Sequence, residues 1–230
     1  LTLLIHVAVL VEMTRGMRRV YRLDASSPVP SRWPSIAIVV PARDEEANVA
    51  ATLQALLAQD YPSMEIVLVD DRSGDRTYEI ARSVARDDER LRVLQVDVLP
   101  AGWVGKSHAL VVGAQATTGE LLLFTDADVV MSLDAVRRAV AVLEAERLDH
   151  LTVAPRILTR TFALASVVTT FGVFFMIFSR PWRVPLSGTR EHIGIGAFTL
   201  VRRRTYEAIG THARIALAPD DDLQLGKAIK

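Results

Sequence analysis

An apolar run that ends in two carboxylates decides the fold of this chain: Leu121-Leu122-Leu123-Phe124-Thr125-Asp126-Ala127-Asp128. The run predicts a buried strand whose carboxyl end lies at the edge of a sheet. Because residues i and i+2 of an extended segment point to the same side, Asp126 and Asp128 are expected to face one way. Two such carboxylates form a hard oxygen site that suits Mg²⁺ or Mn²⁺ carrying phosphate oxygens. The alternative for so short a motif is structural, with Asp126 capping the next helix and Asp128 solvated.

The composition of the chain narrows the class of protein. Half of the 230 residues are hydrophobic, enough for a sizeable core in one large domain or two small ones. The formal net charge is +0, so charge gives no case for nucleic acid or an acidic partner. The chain has no cysteine, which excludes a disulfide framework and a cysteine-ligated metal.

The two ends of the sequence indicate a longer protein. The chain begins at Leu1 inside an apolar stretch that runs to Val11 and is too short to span a bilayer. We interpret residues 1–22 as the end of a transmembrane or anchor helix with a cytoplasmic basic flank. A plain amphipathic helix and a signal-peptide remnant are the alternatives. Lys230 lies inside a helical pattern, so the C-terminus is expected to be truncated.

Between these ends, the chain alternates strands with helices. Residues 23–34 are rich in serine and proline and predict a linker, and residues 35–230 form the domain. Besides the central run, apolar segments predict strands at 36–40, 65–69, 91–96, 151–154 and 197–201. Ser132 is expected to cap the helix that follows the central strand. This alternation predicts an α/β fold, with a mostly parallel sheet and helices on both faces.

Polar residues gather where three of these strands end. The first strand ends at Pro41-Ala42-Arg43, the second at Asp70-Asp71, and the central one at Asp126-Ala127-Asp128. In open α/β sheets, ligands bind outside the carboxyl ends of the strands. One such end could be ordinary turn chemistry, but three that converge on one edge predict a binding site.

The second half of the domain carries an apolar segment without charge. Residues 162–178 contain no charged side chain, and Arg160, Arg180, Trp182 and Arg183 flank them. An interfacial helix, a short transmembrane helix and a buried core helix are all compatible with this length. The flanking arginines and tryptophan favour the interface.

Two charged clusters follow that segment. Residues 202–204 are three arginines that could contact phosphate or anionic lipid, or could simply be a solvated strand end. Asp220, Asp221 and Asp222 open the last helical pattern, where carboxylates suit the helix dipole. A carboxylate held there could also act as a general base.

With these motifs assembled in order, residues 35–230 resemble the inverting glycosyltransferases of family 2. The resemblance implies the GT-A fold, a Rossmann-like fold of nucleotide-diphospho-sugar transferases, together with membrane-associated helices. It rests on five segments: 39–45, 69–75, 105–113, 126–128 and 221–225. Residues 102–106, Gly-Trp-Val-Gly-Lys, resemble a membrane subgroup associated with hopanoid and carotenoid glycosylation.

The resemblance implies a role for each matching residue. Residues 35–130 would form the nucleotide-binding half and residues 131–230 the acceptor half. The nucleotide sugar would be bound by Pro41, Ala42, Arg43, Glu45, Asp70, Asp71, Lys106 and Asp126. The divalent cation, Mg²⁺ or Mn²⁺, would be held by Asp126 and Asp128. Asp222 would be the catalytic base, with Asp221 as the second candidate.

Two departures from the family pattern bear on these roles. The family usually has Glu-Asp where this chain has Asp221-Asp222, and the spacing to Leu225 favours Asp222 as the base. The family's later Gln-x-x-Arg-Trp motif does not occur in the sequence. It lies beyond Lys230 or is missing from this subgroup.

The implied reaction moves a hexosyl or N-acetylhexosaminyl group from a UDP- or GDP-linked donor to a polyisoprenoid-type lipid hydroxyl. It would take place at the cytoplasmic face of the inner (plasma) membrane. A polysaccharide synthase of the same family and a non-catalytic, membrane-associated nucleotide-binding protein are the alternatives. Nucleotidyl transfer is a further one, but it would require a glycine-rich phosphate loop, and residues 41–46 contain no glycine.

Overall fold

The computed structural model describes residues 2–23, 28–186 and 188–230, with the backbone alone for residues 2–6. The strands are β1 (Ile36–Ala42), β2 (Met64–Asp71), β3 (Leu91–Val96), β4 (Leu121–Phe124), β5 (His150–Thr152) and β6 (Thr199–Arg202). The helices are α1 (Thr2–Gly16), α2 (Val49–Leu57), α3 (Thr77–Ala85), α4 (Gly105–Gln115), α5 (Ala135–Ala145), α6 (Phe162–Ser179), α7 (Arg203–Ala208) and α8 (Asp221–Ile229). Short 3₁₀ turns lie at Met17–Arg19, Pro181–Arg183 and His212–Ile215.

The strands form one six-stranded sheet in the order β3-β2-β1-β4-β6-β5. β1 pairs in parallel with β2 and β4, and β2 pairs in parallel with β3. β6 runs antiparallel to both of its neighbours, β4 and β5. The mostly parallel α/β sheet predicted from the sequence is therefore confirmed, with one reversed strand that no local pattern indicated.

Apolar side chains from both faces of the sheet are buried under helices. On β1, Ile36, Ile38 and Val40 join a core with residues of α2, α3 and α5. The alternate residues Ala37 and Val39 join a second core with residues of α4, α7 and α8. This alternation is the period of two of a strand, and it gives the predicted helices on both faces.

The central strand is shorter than its apolar run. β4 ends at Phe124, and the chain turns at Ala127 and Asp128. Thr52 of α2 holds this turn, because its hydroxyl donates to the carbonyl of Ala127 at 2.8 Å. The chain is therefore not extended through residues 126–128 as expected, and the placement of both carboxylates on one side stays a prediction. Asp126 is partly buried, whereas Asp128 is exposed.

The start of α5 also differs from the prediction. The helix begins at Ala135, with Asp134 as the residue before it. Ser132 does not cap it; the Ser132 hydroxyl donates instead to the carboxylate of Asp134 at 3.2 Å.

The predicted linker packs partly on the domain. Residues 24–27 of it lie outside the described residues. Trp33 lies edge-on to Tyr61, with ring centroids 5.6 Å apart, and the guanidinium of Arg137 lies 4.7 Å above the Trp33 ring. Arg32 forms an ion pair with Glu120 at 2.6 Å. The extent of the linker stays a prediction.

Helix α6 extends from the domain with no buried residue. Phe162 is 89% exposed and Phe178 81%. Among the described residues, one helical stretch, 162–183, is long and apolar enough to cross a membrane, with a mean hydropathy of 2.1. Helix α6 is therefore not part of the core formed by the described residues, and the interfacial and spanning alternatives stay predictions.

The segment after α6 contacts the N-terminal helix. Trp182 is buried against Gly16 at the end of α1, where an added Cβ would collide with the indole ring. The indole N–H donates to Glu12 Oε1 at 3.5 Å, and Arg183 lies 3.7 Å from the same carboxylate. The N-terminal helix is therefore joined to the turn that directly follows α6.

Candidate active site

The carboxyl ends of the central strands meet the first turns of two helices in one cleft. Pro41 comes from β1, Asp126 follows β4, Lys106 lies in the first turn of α4, and Asp221 and Asp222 lie in the first turn of α8. The cleft is also lined by residues that the sequence reasoning did not select: Leu110, Phe124, Thr125, Gly196, Thr199, His212 and Leu225. Five of the predicted site residues thus lie together.

Lys106 lies between two of the carboxylates. Its Nζ is 2.7 Å from Asp126 Oδ1 and 3.7 Å from Asp221 Oδ1. Burial acts to lower the pKa of Lys106, but the charges of Asp221 and Asp126 outweigh it and the pKa is raised. The ammonium group is therefore a fixed positive charge at this edge of the sheet.

Asp221 is enclosed in the wall of the cleft. Its pKa is raised because it is buried, although Lys106 acts in the opposite direction. His212 lies behind it, with Nε2 3.9 Å from Asp221 Oδ2. Asp221 is thus a buried partner of Lys106, whereas the neighbouring Asp222 is partly exposed.

His212 is itself oriented by a buried tyrosine. The Tyr206 hydroxyl accepts the backbone N–H of His212 at 3.2 Å and lies 2.8 Å from His212 Nδ1. The hydroxyl therefore orients the imidazole ring, whose Nε2 faces Asp221. Burial, with a smaller effect of Lys106, lowers the pKa of His212 to about 3, so the ring is neutral.

Asp222 is held by two backbone N–H groups. Gly196 donates to its Oδ2 at 2.8 Å and Leu223 donates to its Oδ1 at 2.8 Å. Its side chain lines the cleft beside that of Asp221. A carboxylate so fixed and still accessible has the geometry expected of a general base.

Gly196 lies in a space that a larger residue could occupy only if Asp126 or Lys106 shifted. An added Cβ would lie 2.8 Å from Asp126 Oδ2 and 3.0 Å from Lys106 Nζ. The segment that carries it is held by Thr125, whose hydroxyl donates to the Ala197 carbonyl at 2.8 Å. No pattern in the sequence separates Gly196 from the other glycines, because its role depends on residues far away along the chain.

The two acids at the end of β2 are buried next to the cleft. Asp70 is paired in register with Ala42 at the end of β1. Asp70 Oδ2 accepts the Ser73 N–H at 3.4 Å, whereas its Oδ1 has no hydrogen-bond partner among the described residues. Asp71 pairs with Arg72 at 2.9 Å and abuts Gly105, where a Cβ would collide with its carboxylate. A buried carboxylate oxygen without a donor is costly and fits a polar ligand.

In the loop after β1, Glu45 is held by hydrogen bonds, whereas Arg43 is exposed. The backbone N–H of Glu45 donates to Thr77 Oγ1 at 2.7 Å, and the Glu45 carboxylate accepts from Asn48 at 3.0 Å. Arg43 is exposed, with its Nε 3.8 Å from Asp44, and does not line the cleft. Ala42 is buried in the core below.

Carboxylates are the side chains that suit a divalent cation, and Asp126 and Asp128 stay the predicted ligands. The part of the chain that the structure describes has no group of three or more His, Cys, Asp or Glu residues arranged for a metal. Asp126 lines the cleft, whereas Asp128 is exposed on the turn after β4 and does not line it. Mg²⁺ is commonly held by one or two carboxylates together with phosphate oxygens and water. In this structure Asp126 is neutralised by Lys106.

The three arginines 202–204 lie away from the cleft. Because β6 is antiparallel, its end lies at the opposite edge of the sheet. Arg202 pairs with Glu144 at 2.8 Å, and Arg203 donates to the carbonyl of Gly119 at 2.6 Å. Arg204 is exposed and 3.4 Å from Asp149. These contacts are structural, at the outer end of the sheet.

Comparison with known proteins gives a family and a fold. The sequence model described as glycosyl transferase family 2 matches residues 37–210. A 4,4'-diaponeurosporenoate glycosyltransferase from Staphylococcus haemolyticus is 35% identical over 106 residues, 46% of this chain and 27% of that protein. A beta-monoglucosyldiacylglycerol synthase from Trichormus variabilis is 28% identical over 192 residues, 83% of this chain and 40% of that protein.

Among solved structures, a mannosyltransferase from Pyrobaculum calidifontis in complex with GDP-Man and Mn²⁺ has a TM-score of 0.72. It is 22% identical and the match covers 96% of this chain and 59% of that chain. This likeness confirms the GT-A fold. The chain spans less than half the length of the two curated relatives described above.

Proposed function

The chain belongs to glycosyl transferase family 2, and from that premise we propose that it transfers a sugar from a nucleotide-diphospho-sugar to the hydroxyl of a lipid acceptor. One observation carries the proposal. Lys106 lies between Asp126 and Asp221, with Asp222 beside them, at the carboxyl ends of the strands. A positive charge next to a held carboxylate is what displacement of a diphosphate by a hydroxyl requires.

The reaction is a single displacement at the anomeric carbon of the donor. The acceptor oxygen forms a bond to that carbon while the bond to the diphosphate oxygen breaks, and its electron pair leaves with the diphosphate. Asp222 accepts the proton of the acceptor hydroxyl. Lys106 stabilises the negative charge that develops on the leaving group. Inversion of configuration follows, because no covalent intermediate with the enzyme is formed.

Asp126 and Asp128 would hold Mg²⁺ or Mn²⁺. A cation there would act as a Lewis acid on the diphosphate oxygens. The unpartnered oxygen of buried Asp70 and the carboxylate of Asp71 would accept hydrogen bonds from the base and ribose of a UDP- or GDP-linked donor. Pro41, which lines the cleft, and Glu45 would bound the same nucleotide.

A lipid acceptor is supported by the relatives and by α6. The two relatives are named for glycosylation of a carotenoid acid and synthesis of a glucosyl diacylglycerol. Helix α6 presents apolar side chains to the outside along its whole length. Such a helix suits the interface of a bilayer, so we propose that the protein acts at the cytoplasmic face of the inner membrane.

Titration calorimetry with UDP and GDP, each with and without Mn²⁺, tests the donor site. We expect metal-dependent binding of one nucleotide that Asp128→Ala abolishes. Asp87→Asn removes an exposed acid on the turn after α3 and serves as the matched control, with binding unchanged. Binding of neither nucleotide to the wild-type chain would contradict the proposal.

Donor turnover tests the base. Asp222→Asn keeps the size of the side chain but removes the proton acceptor, so we expect sugar transfer to fall by about 10²–10⁴-fold with nucleotide binding retained. The control is Asp220→Asn, since asparagine also caps a helix N-terminus. Transfer by Asp222→Asn at the wild-type rate would rule out this residue as the base.

A further inference from the structure

An open groove lies beside the cleft, between α6 and the segment 188–192. It has a volume of about 770 Å³. One wall is apolar and consists of Phe175 and Phe178 on α6. The other wall is polar and includes Arg190, Glu191 and His192. Leu223 of α8 also lines the groove.

The groove connects directly with the proposed base. Leu223, which lines it, donates its backbone N–H to Asp222 Oδ1 at 2.8 Å. The polar wall continues along the chain to Gly196, whose N–H donates to the other oxygen of Asp222. Between them, Gly194 lies so close to the Asp222 carbonyl that a Cβ would collide with it. The groove and the cleft therefore share both the loop and the first turn of α8.

The two walls define the chemistry of a ligand. Phe178 is 81% exposed and Phe175 is partly buried, so both rings can cover a hydrocarbon chain. Arg183, at the rim, pairs with Glu191 at 2.8 Å and keeps the polar wall in place. A soluble sugar would leave the phenyl rings uncovered, whereas an amphiphile would satisfy both walls.

Helix α6 also indicates where the ligand comes from. The 18-residue helix is about 27 Å long from the rise per residue of an α-helix. It is apolar all round, and Phe162 at its other end is 89% exposed. A bilayer covers such a helix on several sides, and an amphiphile leaving that bilayer along α6 meets the groove at the end nearest Asp222.

We propose that this groove is the acceptor site, and that it binds a long-chain amphiphile whose terminal oxygen reaches Asp222. The inference rests on the proposed function, because it assigns the route of the acceptor in that reaction. Phe175 and Phe178 hold the chain of the ligand, and the polar wall holds its oxygen-bearing end.

Photo-crosslinking tests the groove. The probe is a diazirine-bearing hexadecanol in phosphatidylglycerol vesicles carrying the full chain, with labelled peptides mapped by mass spectrometry. We expect label on both sides of the groove, in residues 175–179 and 188–192 or at Leu223. Phe175→Ala and Phe178→Ala should each reduce that label by about tenfold. Phe162→Ala, the same substitution at the far end of α6, should leave it unchanged.

Three labelling results would overturn the proposal that the groove binds the acceptor. Label spread evenly along α6, or reduced equally by Phe162→Ala, would mean bilayer contact alone and would overturn the inference, as would no label at all. Calorimetry with UDP and GDP on the same preparation separates the two proposals. Groove label without nucleotide binding would keep the lipid site and refute the glycosyltransferase reaction, whereas nucleotide binding without groove label would do the reverse.

Discussion

At the scale of single residues, the site depends on small distances between charges from distant segments. Lys106 is 2.7 Å from Asp126, and the backbone N–H of Gly196 is one of the two donors that hold Asp222. Glycine at position 196 allows both arrangements at once, because any side chain would enter the space between Asp126 and Lys106. A backbone atom thus positions the proposed base, and the absence of a Cβ keeps the lysine in reach of the carboxylate.

Gly196→Ala should therefore impair transfer more than stability. Its Cβ would lie 2.8 Å from Asp126 Oδ2, so the carboxylate or the loop must move. Misplacement of catalytic groups by about 1 Å costs on the order of 100-fold in rate, so we expect the turnover rate to fall by roughly one to two orders of magnitude. Steady-state kinetics and circular dichroism measure the two effects. Gly172→Ala, where a Cβ meets nothing within 4 Å, is the control; equal rates for both variants would contradict the role of Gly196.

At the scale of elements, α6 differs from every helix that covers the sheet. α2, α4 and α5 each bury an apolar face against the strands, whereas α6 buries no residue. The stability of the domain should therefore not depend on its apolar side chains. These apolar side chains can be buried only against a surface outside the described chain, and we propose that this surface is a bilayer.

Val167→Asp tests whether the apolar side chains of α6 serve membrane binding and not the stability of the domain. Val167 is 66% exposed on α6, so the change should alter the free energy of unfolding by no more than about 0.5 kcal/mol. A charge inserted into the apolar part of a bilayer costs about 2.5–3.5 kcal/mol on insertion scales. Binding of the variant to vesicles should therefore be weaker than that of the wild type by at least about tenfold. Urea unfolding and vesicle co-sedimentation give the two readouts.

Val98→Asp adds the same charge at a valine 76% exposed, beyond the end of β3, and should change neither readout. A loss of folding stability in Val167→Asp would instead show that α6 packs into protein.

At the scale of the whole molecule, buried ionisable groups couple the fold to pH. His212 is 1% exposed, and its pKa in the folded protein is about 3. In the unfolded chain a histidine has a pKa of about 6.5. As pH falls through that value the unfolded state gains a proton that the native state does not bind, so stability is lost towards acid. Above pH 7 this histidine contributes no pH dependence.

His212→Gln should remove that part of the pH dependence. Between pH 7.5 and pH 5.0, the free energy of unfolding of the wild type should fall by about 2 kcal/mol more than that of the variant. The difference follows from a slope of about 1.4 kcal/mol per pH unit below the pKa of histidine in the unfolded chain. Urea unfolding at the two pH values measures the difference. His192→Gln, a change at a partly exposed histidine, should behave as the wild type does. Parallel pH profiles for wild type and His212→Gln would show that His212 does not titrate in this range.

The local pattern of apolar and polar residues was enough to predict the strands and the edge of the sheet at which the site lies. The apolar runs at 36–40 and 65–69 form β1 and β2, and α2 lies between them. Such strands can be predicted because a strand buried on both faces of a sheet consists of consecutive apolar residues. Polar residues at the ends of parallel strands must also converge, which was enough to select the strand ends at Pro41 and Asp126. Lys106, Asp221 and Asp222 lie in the first turns of helices, and the resemblance to a family assigned their roles.

Tertiary structure alone decided the contacts that make these residues a site. The reversed direction of β6, the turn that separates Asp126 from Asp128, and the enclosure of Asp221 by Lys106 and His212 all join segments distant in the chain. Sequence periodicity reports which face of an element is buried, but it does not report which atoms of another element lie opposite. For that reason the sequence contained the acids and the apolar helix, and only packing made Gly196 a positioning group and formed the groove beside Asp222.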